Sequence, residues 1–224
     1  MLVGMRPRQE VVMAKPRSYP GTDIEISFDM SRCIHARNCF LSLPQVFDPS
    51  RRPWVAPDAA PAEEIAAMIR TCPSGALTFR RLDGGGEERP KPINRVRVQE
   101  NGPVELTGDL RMGGERFTRM TLCRCGQSAN KPFCDHAHVK AGFSATGEPA
   151  PSDKDSETRM GEALEVRPVP NGPVGLVGAV EVTSGTGARI ARAEKLFLCR
   201  CGQSANKPFC DGSHKPAGFT TEGD

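Results

Sequence analysis

The sequence predicts an α+β protein: a small N-terminal α+β domain, then two small β-rich modules that pair with each other within one chain. Three observations lead there. Leu122–Asp135 reads LCRCGQSANKPFCD, and Leu198–Asp211 reads the same fourteen residues again. Each copy follows the same plan of alternating apolar runs around an Asn-Gly-Pro turn. Ahead of both, one helical pattern lies between two alternating runs. With 23 glycines, 20 prolines and 5% aromatic residues in 224, no large core is available. A module this small buries too little by itself, so pairing is expected.

Met1–Pro20 is rich in Arg and Lys, holds Glu10 as its one acid and lacks an amphipathic period. It is expected to be a disordered leader, over residues 1–21, rather than a targeting signal. Residues 22–82 form the front domain. Thr22–Asp29 alternates Ile24, Ile26 and Phe28 with polar residues, the period of a half-buried strand. Cys33 and Cys39 follow in CIHARNC, then an apolar stretch over Leu41–Phe47 broken by Pro44. Trp54 in RRPWV is expected to cover apolar neighbours. Pro61–Thr71 predicts a helix, with Pro at its start, Glu63 and Glu64 in the first turn, and Ile65, Met68 and Ile69 on one face. It delivers Cys72-Pro73, and Ala76–Arg80 predicts a returning strand.

Gly, Pro and charge make residues 83–92 a linker. The first module, residues 93–147, opens with strands over Arg95–Glu100 and Val104–Leu110. Asn101-Gly102 between them signals a hairpin, which Pro103 lengthens. Phe117–Leu122 leads into the duplicated stretch. The second module, residues 163–224, repeats the plan with Leu164–Val169, Val174–Val182 and Ala193–Leu198. Its loop around Ser184–Ala188 is longer by six residues. Residues 148–162 are a polar connector. Two independent modules on a tether are the alternative to pairing.

Extended to the next histidine, each duplicate reads Cys-x-Cys-x8-Cys-x3-His: Cys123, Cys125, Cys134 and His138, then Cys199, Cys201, Cys210 and His214. Three thiolates and an imidazole suit zinc, but structural zinc sites space their paired ligands two to four residues apart. Softness alone does not separate zinc from an iron–sulfur cluster. A 2Fe–2S cluster takes two ligands on each iron, and histidine can replace cysteine on one of them. The pattern C-x-C-x2-[ST]-x3-P-x-C-D-G-[SAT]-H resembles the CDGSH iron–sulfur domains, the family of mitoNEET. The second copy resembles it throughout, at Cys199, Cys201, Ser204, Pro208, Cys210, Asp211, Gly212, Ser213 and His214. The first matches at Cys123, Cys125, Ser128, Pro132, Cys134, Asp135, Ala137 and His138, but has His136 in place of glycine. The resemblance implies a 2Fe–2S cluster in each copy. Cys123 and Cys125 would hold one iron and Cys134 and His138 the other, with Cys199 and Cys201, then Cys210 and His214, likewise. It also implies an intramolecular pseudo-dimer, since single-motif members form two-fold dimers with shared strands. If the glycine position takes positive φ, His136 is strained there.

Cys33, Cys39 and Cys72-Pro73 resemble a divergent mono-cluster ferredoxin over residues 22–82. Ferredoxins carry a C-x2-C-x2-C run and a distant Cys-Pro, and here Ala36 replaces the middle cysteine. Three thiolates imply a 3Fe–4S cluster. A 4Fe–4S cluster needs a fourth ligand, for which His35 is nearest. The alternative is three buried structural cysteines.

All nine cysteines fall into these groups, leaving none for disulfides and pointing to a reducing compartment, the cytoplasm. A net charge of +3 with scattered basic residues excludes a nucleic-acid footprint. No apolar run reaches membrane-spanning length. There is no catalytic triad, phosphate-binding loop or nucleotide fingerprint, so no enzyme activity is expected. The expected function is single-electron transfer between partner proteins by a monomer with internal two-fold symmetry. Two alternatives stand beside it. One is a cluster carrier or redox/pH sensor that releases histidine-ligated clusters to apo acceptors; the other is a zinc-bound scaffold.

Overall fold

The computed structural model describes residues 16–152, 156 and 161–221. Residues 1–15 of the expected leader, and 153–155 and 157–160 of the connector, lie outside the described residues. The front domain is a three-stranded antiparallel sheet, β1 (Arg17–Tyr19), β2 (Ile24–Phe28) and β3 (Leu77–Arg81), in that order. Alternation along β2 buries Ile24, Ile26 and Phe28 on one face. The helix α2 (Ala62–Ile69) closes that face with Ile65, Ala66 and Ile69, all fully buried. A shorter helix, α1 (Asn38–Ser42), carries Cys39. Trp54 packs against Tyr19, Phe28 and Phe47 at ring-centroid distances of 6.4, 4.8 and 5.8 Å.

That cluster corrects the expected leader, which was to run through residue 21. Arg17–Tyr19 pairs with β2, and Tyr19 is buried edge-on against Trp54. A three-residue strand has too short a period to announce itself, and only its aromatic anchor reveals it.

The two repeats form one six-stranded sheet. The first supplies β4 (Arg95–Val98), β5 (Val104–Met112), β6 (Glu115–Leu122) and a four-residue helix, α3 (Ala137–Lys140). The second supplies β7 (Leu164–Pro168), β8 (Val174–Thr183) and β9 (Arg189–Leu198). Each repeat's opening strand is shared. β4 runs antiparallel to its own β5 and parallel to β8, while β7 runs antiparallel to its own β8 and parallel to β5.

Each long strand must bend where its partner changes. β5 bulges between Thr107 and Leu110, and β8 between Val177 and Val180. Gly108 sits in the first bulge with φ 142°, where a Cβ would lie 2.2 Å from Asn94 Oδ1. Buried Asn94 donates to the carbonyls of Glu162 and Ala179 at 2.8 and 3.0 Å and accepts from Asp109 N at 3.0 Å. One side chain thus ties three segments together.

Strand sharing gives the repeats a common core. Leu106, Leu110 and Met120 of the first pack in one cluster with Leu164, Leu176 and Val182 of the second, all with no exposed surface. Truncating any of these leucines to Ala costs about 2–5 kcal/mol. Among the described residues no helix is long and apolar enough to cross a membrane.

The front domain leans on the first repeat. Arg119 of β6, 5% exposed, donates to the carbonyls of Ile69, Cys72 and Leu77, and pairs with Glu88 at 2.8 Å. Glu88 lies in the expected linker, which is therefore held against β6 rather than free.

Candidate metal centres

Each duplicated stretch continues the strand that delivers it. Cys123 N donates to Pro132 O and Cys134 N to Thr121 O, both at 2.9 Å, closing a loop sealed by the Leu122–Phe133 bridge. The second copy has the same closure, through Cys199 to Pro208 and Cys210 to Phe197. Ser128 Oγ donates to Phe133 O at 2.7 Å, and Asp135 accepts from Ala129 N and Ala137 N at 2.8 and 3.0 Å. Ser204 and Asp211 repeat these bonds. Ser213 and two backbone amides hold the Asp211 carboxyl far below the usual carboxylate range.

The loops bring the predicted donors together as pairs. Cys123 Sγ lies 3.7 Å from Cys125 Sγ, and Cys134 Sγ lies 3.5 Å from His138 Nδ1. In the second copy the corresponding distances are 3.8 and 3.5 Å. Two thiolates on one tetrahedral metal, at bonds of about 2.3 Å, stand about 3.8 Å apart; a thiolate and an imidazole stand about 3.5 Å apart. Both spans match. Among the described residues no group of three His, Cys, Asp or Glu side chains stands close enough to share one metal ion. Each pair is therefore spaced as two donors on one metal would be.

Backbone amides complete the sulfur environment. Gln127 N points at Cys125 Sγ and His136 N at Cys134 Sγ, each at 3.4 Å; Gln203 and Gly212 do the same at Cys201 and Cys210. Such donors stabilise thiolate charge and tune a bound centre. Burial pushes the Cys134 thiol up to about 11, so ligation there must displace a proton. Burial, reinforced by His136, lowers His138 and favours the neutral imidazole a metal requires.

Two features of these loops are more than their spacing conveys. Arg124, read from sequence only as the spacer in Cys-x-Cys, is 1% exposed. Its guanidinium holds the carbonyls of Gly102, Thr146 and Ala145 at 2.8, 2.9 and 3.1 Å and lies 5.4 Å over the Phe143 ring. Arg200, equally buried, bonds to Gly172 O and Val169 O and lies over Phe219. Each arginine thus clamps the Asn-Gly-Pro turn and the Ala-Gly-Phe tail around its loop. The identical spacer in both copies was the available signal.

The second feature is reciprocal contact between the loops. A Cβ on Gly126 would lie 2.4 Å from Cys201 O, and one on Gly202 would lie 2.4 Å from Cys125 O. Both glycines have φ 79°. The ligand loops therefore meet backbone to backbone at the repeat interface. His136 adopts φ 70° where Gly212 adopts φ 90°, the strained placement expected for a histidine in the first copy.

In the front domain, Cys33, Cys39 and Cys72 line one cavity of about 470 Å³, with Phe28, Trp54 and His35 among its walls. Burial raises the thiols of Cys33 and Cys39. His35 Nδ1 lies 4.0 Å from Cys33 Sγ. None of the nine cysteines forms a disulfide. Three soft donors facing one space, without a disulfide among them, fit a thiolate-ligated iron–sulfur group.

Comparison with known proteins agrees with this geometry. Residues 19–82 match the family model of the divergent 4Fe-4S mono-cluster domain, and residues 96–139 and 171–215 each match that of the iron-binding zinc finger of CDGSH type. The chain carries a divergent 4Fe-4S mono-cluster domain at its front, followed by two tandem iron-binding domains of CDGSH type. The uncharacterized protein YjdI of Escherichia coli K12 is 38% identical to this tandem CDGSH chain over 64 residues, 29% of the chain and 84% of YjdI. Its counterpart in E. coli O157:H7 matches to the same extent. The tandem CDGSH chain is therefore an iron–sulfur protein of the electron-transfer or cluster-handling kind.

Proposed function

We propose that the protein carries single electrons between separate redox proteins, using two 2Fe–2S clusters and one front cluster, as a monomer of the cytoplasm. One observation carries the reading: the CDGSH donors stand in pairs at 3.5–3.8 Å, two pairs per loop, beside a third thiol set on a single cavity. Bound there, iron–sulfur clusters supply one-electron oxidation and reduction. The residues' part is to hold the donors rigidly. Arg124 and Arg200 lock the loops, the amides at Gln127, His136, Gln203 and Gly212 balance sulfur charge, and strand sharing joins the repeats as an internal pseudo-dimer. A carrier function is favoured by nothing as specific, although the imidazoles of His138 and His214 are half-buried rather than sealed.

Cys33, Cys39 and Cys72 would hold a three-thiolate front cluster. His35 completes a 4Fe–4S set if its ring turns from its present place near Cys33. The deciding experiment is low-temperature EPR with iron and sulfide quantification on anaerobically purified protein, before and after dithionite. Rhombic signals that appear on reduction, with sulfide matching iron, support the electron carrier. Zinc without sulfide overturns it. Loss of iron to an apo acceptor at a rate abolished by His138→Cys and His214→Cys would favour the carrier instead.

A further inference from the structure

Among the described residues the front domain builds a polar seam against β6 of the first repeat, and that seam joins two ligand-bearing loops. On one side is the Cys72-Pro73-Ser74-Gly75 turn. On the other is β6, the strand that runs into Cys123. Arg119 crosses from β6 and donates Nη1 to the carbonyls of Cys72 and, at 2.6 Å, Ile69. Arg32 crosses the other way, donating to Ser74 O and to Arg119 O, each at 2.9 Å, while its guanidinium lies 4.7 and 5.3 Å over Phe117 and Phe133. A third link is Asn130 Nδ2 to Ser31 O at 2.6 Å, two residues from Cys33. The fit leaves no spare room: a Cβ on Gly75 would lie 2.6 Å from Arg119 O.

Among the described residues the second repeat shows no such seam. Lys195 occupies the position of Arg119 and is exposed, and Phe197, in the place of buried Thr121, is 42% exposed. The two ligand loops are identical in sequence, yet among the described residues the first alone is wired to the front domain.

We propose that Arg119 is the positioning residue of an internal electron route that joins the front centre to the first CDGSH centre and bypasses the second. The route runs from the Cys72 carbonyl through the Arg119 side chain to β6, then from Thr121 O to Cys134 N, a 2.9 Å hydrogen bond. Coupling through bonds and short hydrogen bonds falls off less steeply than coupling through space, so a continuous chain favours this pair. One electron leaves the front centre and one arrives at the first-repeat centre; no covalent bond forms or breaks. The inference rests on the electron-carrier reading above.

The test uses full-length protein carrying its clusters, with Arg119→Met, Arg119→Lys and, as the matched control, Lys195→Met. Hydrogen exchange of residues 72–75 reports docking independently of any redox readout. Iron, sulfide and midpoint potentials report the centres themselves. Rapid-mix reduction with freeze-quench EPR then follows electron equilibration between the front and CDGSH signals. Arg119→Met is expected to open the 72–75 amides and slow equilibration severalfold at unchanged potentials, with Lys195→Met at the native rate. Arg119→Lys keeps the charge but not the shared carbonyl bonds, and serves where Arg119→Met loses iron; it too must slow exchange. Native rates in both Arg119 variants, or equal slowing in Lys195→Met, overturn the route. Absence of iron–sulfur signals in the unaltered protein is a different result, which removes the electron-carrier reading instead.

Discussion

The two CDGSH repeats share a fourteen-residue ligand loop and the arginine clamp around it, and differ in what covers the strand before the loop and in the residue at 136 and 212. Around the first copy, Arg119 is buried against the front domain, Thr121 and Cys134 are buried and His136 is forced into a left-handed backbone. In the second, Lys195 and Phe197 face outward, Cys210 is half-buried and Gly212 takes positive φ without strain. Its six additional residues are divided between a longer loop at 184–188 and longer strands on either side. The lesson is physical. Ligand identity fixes which cofactor binds, whereas burial, amide donors and nearby charge adjust how it behaves, so identical loops need not make identical centres.

The strongest way to break the comparison acts on both repeats at once. Gly126→Ala places a methyl 2.4 Å from the Cys201 carbonyl at φ 79°, and Gly202→Ala mirrors it against Cys125. Each is expected to cost about 3 kcal/mol from overpacking and backbone strain together. Chemical denaturation should show equal losses, because the contact is reciprocal. A loss confined to one variant would mean the two loops do not bear on each other equally.

Arg124→Met and Arg200→Met come next. Each leaves buried carbonyls of the turn and tail without a donor, at about 1–3 kcal/mol for an unpaired group. Iron retention during dialysis against a chelator should fall in the mutated repeat first. A simultaneous fall in both would place the clamp's effect in the shared sheet rather than in its own loop.

His136→Gly sharpens the contrast instead. Relieving a left-handed histidine gains about 1 kcal/mol, and Gly212→His should lose a similar amount. Paired thermal melts of the two variants check the symmetry. If His136→Gly destabilises, then the imidazole, whose ring centre lies 4.8 Å from that of His138, contributes more than its strain removes.

These differences were unequally visible in the sequence. The pairing of these cysteines and histidines was legible because Cys-x-Cys-x8-Cys-x3-His is a local pattern, closed within one loop by bonds between near neighbours. Strands β4–β9 were legible by alternation, with the Asn-Gly-Pro turns between them. What alternation does not encode is which strand lies beside which, and the exchange of β4 and β7 between repeats depends on bulges at Gly108 and Gly178 and on Asn94. Arg119 was invisible for a related reason. An arginine on an alternating strand reads as an outward cation, as Lys195 indeed is, and only the docked front domain makes it interior. Arg124 looked like a spacer because its partners lie more than twenty residues away on both sides.

The smallest expected effect tests the interior of the first repeat. Glu105 on β5 pairs across the sheet with Thr121, whereas its counterpart Gly175 lies under the Phe197 ring. Burial raises the Glu105 carboxyl above its ordinary value of 4.5, against the weaker pull of Gln99 and Arg97. A carboxyl raised on folding stabilises fully while the unfolded chain is also protonated, and that contribution is lost as pH rises through the folded value. At neutral pH the charged side chain therefore opposes folding. Glu105→Gln should raise the denaturation midpoint at pH 7 slightly, and its advantage should shrink steadily on acidification toward pH 4.5. An advantage independent of pH would assign the gain to amide hydrogen bonding, and the asymmetry between Glu105 and Gly175 would then be one of packing rather than of charge.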